Sequence, residues 1–167
     1  LSDKGYCLLT LHRAENVDDI GRLKSILDGI IRSGVDVVFP VHPRTKNRLK
    51  EYGISLENTS VRIIEPVSYI EMLKLIKHAK IVLTDSGGLQ KEAFWSKIPC
   101  ITLRDRTEWV ETVDMGVNFL AGADSNRIFQ TVKLVEKEYD FIKRKFRENP
   151  FGDGDAAKRI VEIIKLF

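Results

Sequence analysis

Ile81-Val82-Leu83-Thr84-Asp85-Ser86-Gly87-Gly88-Leu89-Gln90-Lys91-Glu92 is the most informative stretch of the chain. An apolar run ends in threonine, aspartate and serine, two glycines turn the chain, and a helical pattern follows. Residues 81–83 read as a strand and residues 90–97 as a helix. The first backbone N–H groups of a helix have no intrahelical partner and sit at the positive end of its dipole, so such a junction can bind an anion. The glycines would let a phosphate approach the backbone closely. The Ser86 hydroxyl could donate one more hydrogen bond, and Glu92, about a turn further on, could accept from ribose hydroxyls. The glycines suit an ordinary turn capped by Asp85 or Ser86 equally well. Neither a GxGxxG nor a Walker A pattern is present.

The same alternation extends in both directions. Strands are expected at residues 6–11, 35–41, 61–64, 99–103 and 117–120. Pro99 stands at the first position of its strand, where proline is tolerated. Between the strands, apolar residues recur at helical spacing: Ile20, Leu23, Leu27, Ile30 and Ile31 before Gly34, then Ile70, Leu73 and Ile76. Residues 45–52 and 108–115 read as shorter helices closed by Gly53 and Gly116. A long helix on Ile128, Val132, Val135, Tyr139 and Ile142 is capped by Asp124 or Ser125, and a turn at 149–154 leads to a terminal helix over 156–167. Strands apolar on both faces and separated by helices mean a parallel sheet covered on both sides. The expected fold is therefore α/β, a doubly wound, six-stranded Rossmann-like sheet. In such sheets ligands bind beyond the carboxyl ends of the strands, where the strand order reverses. The unusual residues do follow strands: residues 12–16, 42–44, 65–66, 85–88 and 104–105.

Composition narrows the function. The 167 residues are 43% hydrophobic and 31% charged, which suits one globular domain and excludes disorder. Net charge is only +3, and the basic positions 44, 46, 48 and 50 carry no interleaved aromatics, which argues against nucleic acid as partner. Cys7 and Cys100 sit in apolar runs and read as buried thiols. Three histidines show no metal-ligand spacing, so no metal or cofactor is expected. No run approaches a membrane span and no signal peptide is seen, so a reducing, cytoplasmic setting is expected. The chain lacks an initial Met and opens almost directly into a strand, as a piece of a longer protein would.

His12-Arg13-Ala14-Glu15-Asn16 crowds imidazole, guanidinium, carboxylate and amide into five residues after a strand. Packing alone explains such density poorly. Asn16 can still be read as a cap of the next helix, and Arg13 with Glu15 as a weak surface pair. His12, at a strand end facing the glycine junction, is a candidate to contact a phosphate or pass a proton. His42-Pro43-Arg44 reads as a turn with an incidental histidine. Residues 104–108 suit either ligand contact or an ion-pair network, and the charged run 133–147 suits a solvated helix face.

Taken together, residues 10–16, 40–43, 65–66, 84–93, 104–108 and 149–154 resemble, in this order, the carboxyl-terminal half of the non-hydrolysing UDP-N-acetylglucosamine 2-epimerases. The resemblance spans nearly the whole chain, and the first and fourth motifs carry most of it. It implies one half of the type-B glycosyltransferase (GT-B) fold, in which two Rossmann-like halves close on a nucleotide sugar. By match, His12 resembles the family's histidine beside the diphosphate, implicated in catalysis. Ser86, Gly87 and Gly88 resemble its phosphate-binding turn, and Glu92 its ribose-holding carboxylate. Arg13 and His42 resemble residues that touch a second, activating nucleotide sugar in bacterial members. Three positions depart from the pattern. Ala14 stands where a second arginine is common, Lys91 replaces the first of two acids, and Trp109-Val110 replaces Arg-Pro.

The resemblance implies reversible inversion at sugar carbon 2, by elimination and re-addition of UDP, with UDP-GlcNAc and UDP as ligands. The family's sugar-side carboxylates come from an amino-terminal half that is missing here. This chain is accordingly expected to bind UDP weakly and not to epimerise alone. Family members commonly pair, so a homodimer is a candidate assembly. Two other readings stand beside this one: the nucleotide half of a GT-B glycosyltransferase or hydrolysing epimerase, and a stand-alone nucleotide-sugar binding module.

Overall fold

The computed structural model of the chain describes residues 4–146 and 149–166. Six strands form one parallel sheet: β1 (Cys7–Thr10), β2 (Val37–Pro40), β3 (Val61–Ile64), β4 (Ile81–Thr84), β5 (Cys100–Thr102) and β6 (Asn118–Leu120). Their spatial order is β3-β2-β1-β4-β5-β6, with every neighbouring pair parallel. The doubly wound sheet read from the sequence is the observed one. Its order reverses between β1 and β4, so the segments that leave those two strands stand side by side.

Side chains alternate along each strand and feed two apolar cores. Leu9, Phe39, Leu83 and Ile101 face one core. There they meet Leu23, Leu27 and Ile30 of α2 (Ile20–Arg32) and Ile128, Val132 and Val135 of α7 (Ser125–Lys137). Leu8, Val38, Val82 and Cys100 face the other core, against Ile76 of α4 (Tyr69–His78) and Ala93 of α5 (Gly87–Trp95). Gly29 lets α2 and α7 touch, since a Cβ there would come within 2.6 Å of the Ser125 carbonyl oxygen. Cys7 and Cys100 are buried and unbridged, and desolvation pushes both thiols up to about 12.

Several helix boundaries differ from the sequence reading. Residues 14–17 form a short helix, α1 (Ala14–Val17), and Asn16 is buried within it rather than capping the next one. The cap of α2 is Asp19, whose carboxylate accepts from Arg22 N at 2.9 Å. Helix α3 (Pro43–Glu51) starts two residues earlier than expected because proline is well suited to a first helical position. The helix expected over 108–115 is α6 (Val110–Asp114). The long carboxyl-terminal helix divides at Glu138 into α7, capped by Asp124, and α8 (Tyr139–Lys143). The last helix is α9 (Ala156–Ile164). Residue 167 of the expected terminal helix, and residue 147 at the end of the charged run, lie outside the described residues.

Candidate functional site

The site is built where β1 and β4 end. Thr10 and Thr84 are register partners, and their hydroxyls lie 2.6 Å apart, closing the sheet beneath the crevice. One residue beyond, Asp85 is fully buried and gathers the β1–α1 loop around itself. Its carboxylate accepts from the backbone N–H groups of His12, at 3.1 and 3.2 Å, and of Arg13, at 3.0 Å. It also accepts from the Asn16 amide at 3.3 Å, while that amide also donates to the Leu103 carbonyl at 2.8 Å. His12 Nδ1 stands 3.2 Å from Asp85 Oδ1, which turns Nε2 away from Asp85. Sequence reasoning offered Asp85 only as a possible cap. The available signal was an acid placed directly after an apolar strand, where burial requires partners.

Ser86 is the residue that caps α5, its hydroxyl accepting from Leu89 N at 3.4 Å. The helix starts at Gly87, not at Gln90, so both glycines are its first two residues rather than a left-handed turn. What they supply is access. Gly88 is exposed, and a Cβ on it would meet nothing closer than the Ser86 hydroxyl at 3.9 Å. Among the described residues the N–H groups of Gly87 and Gly88 have no partner, which leaves two donors at the positive end of α5.

His12, His42 and Ser86 share one cavity of about 240 Å³, with Pro66, Met72 and Leu89 among its apolar lining. The His12 and His42 rings are 6.0 Å apart. His42 is not incidental: it caps α3, its Nδ1 accepting from Arg44 N at 3.2 Å. Pro66 stands at the strand-end edge that the sequence pointed to, whereas Met72 and Leu89 were not foreseen as lining, because apolar residues on helices look like core. Glu92 lies on α5 outside this lining. One of its oxygens is buried without a partner among the described residues, and burial holds its carboxyl above the usual value.

Residues 104–108 form an ion-pair network. The largely buried Arg104 donates to Glu15 at 3.0 Å and to Glu108 at 3.0 Å, so Glu15 pairs with Arg104 rather than with Arg13. The Glu108 carboxyl is held below its usual value by a backbone hydrogen bond and by Arg104, with Arg13 contributing. Arg44 and Arg48 both pair with Asp18, and Lys46 pairs with Glu65, which orders the basic face of α3. A larger cavity, of about 690 Å³, opens at the opposite end of the sheet beside Gly5, Asp36 and Ser60, and holds none of the site residues named above. Among the described residues no helix is long and apolar enough to cross a membrane.

Residues 1–165 match the family model described as UDP-N-acetylglucosamine 2-epimerase. The chain is 46% identical to the UDP-N-acetylglucosamine 2-epimerase of Methanocaldococcus jannaschii, over 97% of its own length and 45% of that protein's. It is 42% identical to the UDP-2,3-diacetamido-2,3-dideoxy-D-glucuronate 2-epimerase of Pseudomonas aeruginosa, over 98% and 45%. The crystal structure of the M. jannaschii enzyme in complex with UDP-GlcNAc and UDP superposes with a TM-score of 0.83, at 45% identity, over 97% of this chain and 45% of that one. The chain thus spans about half the length of the relatives it matches.

Proposed function

The chain belongs to the UDP-N-acetylglucosamine 2-epimerase family, and from that membership we propose that it is the carboxyl-terminal, UDP-binding domain of a two-domain UDP-GlcNAc 2-epimerase. What supports this reading is that His12, held by Asp85, shares a cavity with Ser86, the cap of the helix whose first N–H groups, those of Gly87 and Gly88, have no partner among the described residues. The whole of residues 1–167 acts as one nucleotide-binding unit, and a second, sugar-holding domain precedes it. Relatives of about twice the length support that second domain. So does the exposed apolar stripe of Ile160, Ile163 and Ile164 on α9, which has the character of a covered interface.

The reaction interconverts UDP-GlcNAc and UDP-ManNAc. A base removes the proton at sugar carbon 2, the bond from carbon 1 to the UDP oxygen breaks, and 2-acetamidoglucal and UDP result. UDP then adds back while a proton is delivered to the other face of carbon 2. This domain's task is the departing diphosphate. Its negative charge grows as the bond to carbon 1 breaks, and fixed donors aimed at that charge lower the barrier. Gly87 N–H, Gly88 N–H and the Ser86 hydroxyl supply donors, with the α5 dipole behind them. The His12 ring, fixed through Nδ1 by Asp85, presents Nε2 to the diphosphate, to which it donates a hydrogen bond or a proton when the ring carries both protons. Glu92 accepts from the ribose hydroxyls, and the apolar lining around Met72 suits a base. Arg13 and His42 would contact a second, activating nucleotide sugar, as their match to the family implies.

With the sugar-side groups elsewhere, the isolated chain binds UDP and turns over little or nothing. Calorimetric titration with UDP tests the reading, with Ser86→Ala and Glu92→Ala each expected to weaken binding. A coupled assay for UDP-ManNAc is expected to give no turnover above background. Absence of UDP uptake, or turnover comparable with a two-domain enzyme, contradicts it. UDP-2,3-diacetamido-2,3-dideoxy-D-glucuronate is a second substrate to offer the full-length protein, given the 42% identity to the P. aeruginosa enzyme.

A further inference from the structure

Two of the positions where the chain departs from the family pattern, Lys91 and Trp109, meet in space. The Lys91 ammonium lies 4.0 Å from the centre of the Trp109 ring, with the Phe151 ring at 4.4 Å and the Trp95 ring at 5.4 Å. Phe151 braces this box, edge-on to Trp109 at 5.7 Å and to Phe94 at 5.4 Å. The indole of Trp109 reaches from the segment ahead of α6 to the start of α5, where its Nε1 donates to the Gly87 carbonyl at 2.7 Å.

That carbonyl and the Gly88 N–H belong to one peptide unit. A donor on the oxygen draws electron density from the amide, making its N–H a stronger donor, as in any chain of polarised hydrogen bonds. A cation over the indole face acts in the same sense on the indole N–H. The field of Lys91 thus polarises the indole N–H and, through the Gly87 carbonyl, the free N–H of Gly88. The bond also fixes the plane of that peptide. The amide is polarised without an ammonium sitting in the anion site.

We propose that Trp109, backed by Lys91, is a positioning residue that orients and strengthens the Gly88 amide as a diphosphate donor, an inference that rests on the UDP-binding reading above. Trp109→Phe keeps the ring and the box but removes the donor. It is expected to weaken UDP binding about three- to five-fold while leaving uridine binding unchanged, since uridine has no diphosphate. Lys91→Met is expected to weaken UDP binding about two-fold in the parent background and not at all in Trp109→Phe, because Lys91 acts through the indole. In the ligand-free chain the Gly88 amide nitrogen is expected to move upfield in Trp109→Phe, read by NMR. Equal UDP affinity of Trp109→Phe and parent, equal losses for UDP and uridine, or a Lys91→Met effect that persists in Trp109→Phe each overturns the proposal. A parent chain that takes up no UDP defeats the functional reading instead, and the Gly88 resonance still decides this one.

Discussion

Asp85 is where a single atom change reaches both the fold and the site. It is fully buried, and its carboxylate receives the His12 and Arg13 backbone donors, the Asn16 amide and His12 Nδ1. Asp85→Asn keeps the shape but leaves one acceptor oxygen. Placed at the Oδ2 position, that oxygen still serves Arg13 N, Asn16 and one branch of the His12 N–H bond. The new NH2 group then faces His12 Nδ1 at about hydrogen-bond distance. His12 must present Nδ1 as an acceptor, which reverses its tautomer, or swing out of the crevice. Losing one charge-assisted bond costs about 1.5–3 kcal/mol, and at 2–4 °C per kcal/mol for a domain of this size the melting temperature falls by roughly 3–12 °C. Asp85→Leu strands all the donors and is expected to cost more, about 3–5 kcal/mol. The assays are urea denaturation with an unchanged slope, and UDP titration on the folded chain. Asp85→Asn is expected to remain folded yet bind UDP at least about tenfold more weakly, because His12 either leaves the crevice or, accepting at Nδ1, no longer carries both ring protons. A variant as stable as the parent, or one that loses stability while its UDP affinity stays the same, would refute the assignment of Asp85 as the residue that aims His12.

Other outcomes follow from the same geometry. Gly88→Ala places its methyl in open space in a helix, so stability should rise by about 0.5–1 kcal/mol while UDP affinity falls, read by thermal melts alongside calorimetry. Burial raises the Glu92 carboxyl, so the folded chain holds that proton to higher pH than the unfolded chain does. Its stabilising contribution is full below the ordinary carboxylate value and is lost as pH climbs through the raised one. Glu92→Gln should therefore raise the melting temperature at pH 7, with the gain shrinking toward pH 4, while UDP binding drops about tenfold with the lost carboxylate acceptor. Gly29→Ala would drive a methyl to 2.6 Å from the Ser125 carbonyl oxygen, and should destabilise the α2–α7 contact by about 1–3 kcal/mol in urea without touching UDP affinity of the folded chain.

The sheet was legible because each buried strand is a short apolar run ended by polar or turn-forming residues, and the helices between carry a clear apolar period. Helix starts were legible only where a side chain announces them, as Asp124 does. At Gly87 the pattern misled, since glycines ahead of an apolar period look like a turn, whereas a cap at Ser86 lets the helix begin on them. The long helix was divided at Glu138, a break that no proline or glycine signals. In the site, His12 and the Ser86–Gly88 turn stood out by chemistry and position. Asp85 and Arg104 could be recognised as anchors only once their partners, up to 89 residues away in sequence, were placed around them. Lys91 and Trp109 read as two separate departures from a family pattern. Only the packing of Phe151 and α5 reveals them as one contact.

The most direct measurement is the crystal structure of this chain grown with UDP. The diphosphate is expected on the Gly87 and Gly88 N–H groups and the Ser86 hydroxyl, within hydrogen-bond reach of the His12 ring, with the ribose beside Glu92. Diphosphate density in the larger cavity at the opposite end of the sheet, or a diphosphate turned away from the start of α5, would contradict the account.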